Sequence, residues 1–157
     1  MNRIVFVIII GLTFIIGCSR ENIKEIPAFQ ESKIDGYIQK DFTFPVKRYC
    51  QILTLKDDPE LIEEYKEWHA KVWPEVLEGI KKVGVLDHEI YIHGNTLFMI
   101  LVVPHDFDFD EQMSKLATLP RQAEWEQFVS KFQNTDSSAS SADKWTRMER
   151  IFKAEFN

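Results

Sequence analysis

The segment from Val85 to Val103 constrains this chain more than any other. From Val85 to His93 the residues alternate: Leu86, His88, Ile90 and Ile92 point one way, and Asp87, Glu89, Tyr91 and His93 the other. A period of two predicts a strand. Gly94-Asn95 then supplies a two-residue hairpin turn. The chain returns from Thr96 to Val103 and is stopped by Pro104. This second strand is apolar on both faces, with Leu97, Met99 and Leu101 on one and Phe98, Ile100 and Val102 on the other. An antiparallel strand of that kind needs cover on both sides. Helices can cover one side. The other predicts a second copy of the chain, a homodimer packed sheet to sheet.

The flanking elements fit such a layer. Lys47 to Leu55 reads as a strand. Asp57-Asp58-Pro59 follows, with an acid suited to cap a helix and a proline suited to its first turn. Leu61, Ile62, Tyr65, His69, Val72, Trp73, Val76, Leu77, Ile80 and Val83 then recur at helical spacing. Pro74 bends or restarts that helix and Gly84 ends it. Beyond the hairpin, Asp108-Phe109-Asp110-Glu111 resembles a capping box opening a short helix. Pro120 opens another, with Trp125, Phe128, Val129 and Phe132 as its buried stripe. Thr135 to Asp143 reads as a loop and Trp145 to Phe152 as a last strand. The order β-α-β-β-α-β predicts an α+β fold, a ferredoxin-like two-layer sandwich of the dimeric α/β-barrel type.

The first residues read as an address. Arg3 gives a positive start, and Ile4 to Ile16 form an apolar run interrupted by a glycine and a threonine. The run is short for a bilayer span and suits a signal peptide. Gly17-Cys18 closes it and resembles the lipobox of bacterial lipoproteins. In that family Cys18 carries the lipid and becomes the first mature residue. The sequence thus divides into a lipoprotein signal peptide at 1–17, a tether at 18–45 interrupted by Pro27, Gly36 and Pro45, and one domain at 46–157. This predicts a membrane-anchored lipoprotein, periplasmic or at the cell surface. Lipidation of Cys18 leaves Cys50 alone, so no internal disulfide forms. The chain holds 25 acidic residues against 19 basic ones. An acidic balance without a basic stripe argues against nucleic acid as a partner.

Several chemistries find no pattern here. The four histidines, His69, His88, His93 and His105, lack the spacing of a zinc site. Asp106, Asp108 and Asp110 begin like a calcium loop, without its glycine and closing glutamate. They read as a solvated helix start, and no metal or other cofactor is predicted. Neither a Gly-x-Ser-x-Gly elbow nor a phosphate-binding glycine loop is present.

What remains is a pair of histidines. Tyr65 and His69 stand four residues apart, on one helix face, just before a Trp-Pro break. His88 lies on the strand face that a helix would cover. The two imidazoles can meet across the helix–sheet gap, with Trp125 pointing into the same layer. Aromatic faces with polar tips around a small gap suit a sugar ring. The same residues also fit an amphipathic core with satisfied polar tips, and spacing leaves both readings open.

Arg48-Tyr49, Tyr65-x-x-x-His69, Val72-Trp73-Pro74-Glu75-Val76, Glu89-Ile90-Tyr91, Leu97-Phe98 and Trp125 together resemble the L-rhamnose mutarotase family. The likeness runs from about Lys47 to Phe152. It implies a ferredoxin-like dimer, without cofactor, that interconverts the α and β anomers of L-rhamnose; some relatives are similar enzymes acting on L-fucose. It implies His69 as the catalytic acid and base and Tyr65 as a sugar-binding residue. A second binding tyrosine of the family falls on His88, and a pair of tryptophans falls on Glu124 and Trp125. His88 and Glu124 therefore depart from the pattern, which bears on the identity of the sugar. In the expected reaction His69 serves the ring oxygen, His88 or Tyr65 serves the anomeric hydroxyl, and Trp125 stacks on the sugar. Two other readings remain: a lipid-tethered sugar-binding protein without turnover, and a dimer of the same scaffold acting on another small molecule, in the manner of a monooxygenase-type fold.

Overall fold

In a computed structural model of the chain, the structure describes residues 36–135, 139 and 141–155. The expected signal peptide, Cys18 and most of the tether lie outside them. The chain divides into two compact units, Met1–Ile38 and Gln39–Asn157. The second contains every helix and strand described below.

Its elements run β1 (Val46–Thr54), α1 (Pro59–His69), α2 (Pro74–Lys82), β2 (Asp87–His93), β3 (Thr96–Pro104), α3 (Phe109–Ala117), α4 (Gln122–Ser130), α5 (Ser141–Lys144) and β4 (Thr146–Arg147). The strands form one antiparallel sheet in the order β2-β3-β1-β4. This is the expected α+β, ferredoxin-like order, with two helices at the first helical step and three, the last a single turn, at the second.

Local chemistry explains the boundaries. Asp58 caps α1, its Oδ1 accepting from the backbone nitrogens of Glu60 at 2.9 Å and Leu61 at 3.3 Å. Asp108 does the same for α3 through Glu111 N at 3.0 Å. The expected hairpin pairs His93 with Thr96 around Gly94, whose φ of 60° is a glycine conformation. On β3, Leu97, Met99, Leu101 and Val103 are buried against the helices, in one core with Leu53, Tyr65, Val76, Trp125, Val129 and Phe132. On the opposite face Phe98 and Ile100 stay partly open.

The last strand is shorter than the sequence predicts. Trp145–Phe152 was the expected span; only Thr146–Arg147 is strand, paired with Gln51 and Ile52 at the sheet edge. Trp145 turns into the core instead, and the buried Gln51 side chain donates from Nε2 to its carbonyl at 3.3 Å. Met148 N still donates to Cys50 O at 2.8 Å, but beyond it Ile151 and Phe152 are 92% and 78% exposed. The apolar letters of this segment thus do not mark burial within the chain. Further differences are small. The expected loop at 135–143 ends in the single turn α5. The helix expected from Pro120 starts at Gln122, after Arg121 adopts a left-handed φ of 62°.

Candidate active site

The site is built on a broken helix. Trp73 precedes Pro74 and so takes an extended backbone, with φ −58° and ψ 135°. Helix α1 therefore stops at His69, and α2 restarts on Pro74. The break leaves His69 in the last turn of α1, one turn beyond the buried Tyr65. The two rings stack with centroids 3.9 Å apart, and Phe132 meets Tyr65 edge-on at 5.7 Å. On the other side Trp125 of α4 approaches His69 at 5.5 Å, and Trp73 backs Trp125 at 5.2 Å. Trp68 is fixed outside this group, its Nε1 donating to Glu64 Oε1 at 3.2 Å while Lys131 Nζ holds the same oxygen at 2.7 Å.

A cleft of about 210 Å³ lies beside α1, lined by Tyr65, Lys66 and His69 on the helix and by Ile90, Ile92 and Leu97 on the sheet. Neighbours in the β2–β3 ladder put His88 opposite Leu101 and Ile90 opposite Met99, so His88 shares the cleft's sheet face. His88 keeps an exposed edge on its strand, while its Nε2 turns in against Met99 Sδ at 3.0 Å.

The electrostatics suit proton transfer. Burial holds the His69 imidazole below its ordinary range, partly opposed by the bond of Nδ1 to Tyr65 O at 3.0 Å. Desolvation pushes His88 down to about 4, with repulsion by His69 adding to it and Asp87 opposing it. Burial and then the charge of Glu126 push the Tyr65 hydroxyl well above its usual range, so it stays protonated.

The structure thus brings together Tyr65, His69 and Trp125, with His88 on the facing strand beside Met99. Glu124 stands apart: its side chain is 65% exposed and pairs with Arg121 Nε at 3.3 Å. Arg121 in turn lays its guanidinium over Trp73, 4.1 Å from the ring centre. Met99 and the Arg121–Trp73 stack escaped the reading of the sequence. Met99 follows from counting the ladder back from the Gly94-Asn95 turn; Arg121 gives no sequence signal. Among the described residues no three His, Cys, Asp or Glu side chains gather as a metal would require. Asp108 caps α3 and Asp110 faces Arg147 at 3.7 Å.

A two-layer α+β domain with a small cleft, an imidazole on a stacked tyrosine and a flanking indole defines a class of small-molecule site with acid–base capacity. Comparison with known proteins narrows it. Residues 48–154 match the model of the L-rhamnose mutarotase family. An L-fucose mutarotase of Xanthomonas campestris is 34% identical over 109 residues, covering 68% of this chain and 87% of that protein. An L-rhamnose mutarotase of Burkholderia ambifaria is 29% identical over 87 residues, covering 55% of this chain and 82% of that protein. The crystal structure of L-rhamnose mutarotase from Formosa agariphila superposes with a TM-score of 0.52 at 26% identity, covering 69% of this chain and 99% of the other. The chain belongs to the L-rhamnose mutarotase family.

Proposed function

We propose that this protein is an isomerase that interconverts the α and β anomers of a 6-deoxy-L-sugar, with L-rhamnose as the first substrate. The observation that carries the reading is His69, held at the end of α1 between Tyr65 and Trp125 with one ring nitrogen left for a ligand. Mutarotation opens a cyclic hemiacetal and closes it on the other face. It needs proton transfer at the ring oxygen and at the anomeric hydroxyl, and nothing else. His69 serves the ring oxygen, Tyr65 binds a sugar hydroxyl, and Trp125 offers an apolar face to the ring's C–H side. L-Fucose is the second reading, favoured by the 34% identity to the Xanthomonas protein against 29% to the Burkholderia one. The test is a screen of anomer exchange across L-rhamnose, L-fucose and related pyranoses by NMR. Faster exchange of one of them supports the reading. Saturable binding without exchange would make the protein a sugar-binding module instead.

The anchor and the dimer belong to the same reading. Arg3, the apolar run Ile4–Ile16 and Gly17-Cys18 support a lipid on Cys18 and a place at the periplasmic or outer surface. Replacing Cys18 with Ala should move the protein from the membrane fraction to the soluble one. The partly open Phe98 and Ile100 support a homodimer through the sheet.

A further inference from the structure

His69 lines the cleft from the helix layer, His88 lies on the strand face it shares with the cleft-lining Ile90, and each has one ring nitrogen already engaged. Nδ1 of His69 lies 3.0 Å from Tyr65 O. A carbonyl only accepts, so Nδ1 carries a proton and Nε2 is left for substrate. Nε2 of His88 lies 3.0 Å from Met99 Sδ. A thioether has no hydrogen to give, so Nε2 of the neutral ring carries the proton and Nδ1 is a lone pair. Charge on His69 opposes charge on His88, so the pair accepts one proton more readily than two. Burial keeps both rings neutral in the resting protein, and the Tyr65 carbonyl partly offsets that cost for a cation on His69, so the pair takes its first added proton there.

We infer that His69 and His88 form a shared-proton pair that divides the work: His69 gives a proton from Nε2 to the sugar ring oxygen while His88 takes the anomeric hydroxyl proton at Nδ1. The inference rests on the mutarotase reading and assigns the second proton carrier to His88 rather than Tyr65. The step balances. The C1–O5 bond breaks, and its electrons on O5 take the proton of His69. The electrons of the anomeric O–H form the second C1–O1 bond, and that proton passes to His88. The acting form is the pair with one proton added to its two neutral rings, and it carries that one added proton before and after. Rotation about C1–C2 presents the other face of the aldehyde, and the reverse transfers close the ring as the other anomer. Tyr65, kept protonated, is confined to hydrogen bonding.

The charged neighbours are Asp87 beside His88 on β2, Lys66 at the cleft wall on α1, and Glu126 on α4, whose charge reaches Tyr65. Strand β3 contributes Leu97, Met99 and Leu101, which do not titrate.

The test uses the full chain and compares wild type with His69→Ala, His88→Phe and His88→Gln, separating kcat from KM for anomer exchange. Both His88 variants should keep the circular dichroism of wild type and lose about a hundredfold in kcat with little change in KM. Nitrogen-15 NMR of the free protein should show the neutral rings with the proton on Nδ1 of His69 and on Nε2 of His88, and on acidification the first added proton on Nε2 of His69. A His88→Phe kcat within about threefold of wild type, a loss confined to KM, or the opposite tautomer of His88 overturns the inference. If wild type is active, His69→Ala is inactive and His88→Phe is not, this inference falls alone. If wild type gives no acceleration, the mutarotase reading falls and the pair's role with it.

Discussion

The phenol ring of Tyr65 lies on the imidazole of His69 with their centroids 3.9 Å apart, and the tyrosine beneath is 3% exposed. The stack makes Tyr65 a floor for the histidine as well as a source of one hydroxyl. The two roles separate by mutation. Tyr65→Phe keeps the ring, so unfolding in urea should shift by no more than about 1 kcal/mol, while kcat/KM falls about tenfold from one lost hydrogen bond. Tyr65→Ala should instead cost about 3–5 kcal/mol, the usual price of emptying a buried aromatic site.

Stability should fall on the acid side of neutrality. His88 has a folded-state pKa of about 4 against 6.5 for the free side chain, and that of His69 is also lowered. Between those values the unfolded chain binds more protons than the folded one. The stability tied to neutral imidazoles is therefore complete above pH 6.5 and is lost as the pH falls toward 4. The urea midpoint should drop over that window, and His88→Phe should flatten the drop. A midpoint independent of pH there would contradict the environment described for His88.

Glu124 should matter little. Its carboxylate is 65% exposed and its partner Arg121 is itself 42% exposed. An exposed pair of this kind contributes at most about 1 kcal/mol. Glu124→Ala should leave kcat/KM within about twofold of wild type, measured by anomer exchange. A large loss would show that the side chain turns inward with substrate.

On the proposed dimer reading, the partly open sheet face holds a second copy. Ile100 lies opposite Cys50 on β1 and Glu89 on β2, in the middle of that face. Ile100→Lys would place a charge in the middle of that proposed interface. Light scattering should give a dimer mass for wild type and about half of it for the variant.

The helices and their faces were legible because each is fixed locally. Asp58 and Asp108 cap where their side chains can reach a backbone nitrogen two or three residues on, and Pro74 restarts a helix whatever surrounds it. The hairpin was legible for the same reason, through Gly94-Asn95. The last strand was not. Its pairing depends on Gln51 and Ile52, far away in sequence, and Trp145 is drawn into the core just where the strand would begin. The site was legible in part. His69, Tyr65 and Trp125 follow from helix spacing and from the family pattern. That His88 meets Met99 requires the strand register. That Glu124 leaves the cleft depends on its pairing with Arg121, and a family position carries no information about where a replaced side chain points.

The central claim is that His69 drives anomer exchange. The most direct measurement is the rate at which freshly dissolved α-L-rhamnose and α-L-fucose reach equilibrium, followed by NMR with wild type and with His69→Ala at equal concentration. The account predicts marked acceleration of at least one sugar by wild type and a loss of about 10²–10⁴-fold in the variant. Equal rates for the two proteins, or a wild type no faster than buffer, would contradict it.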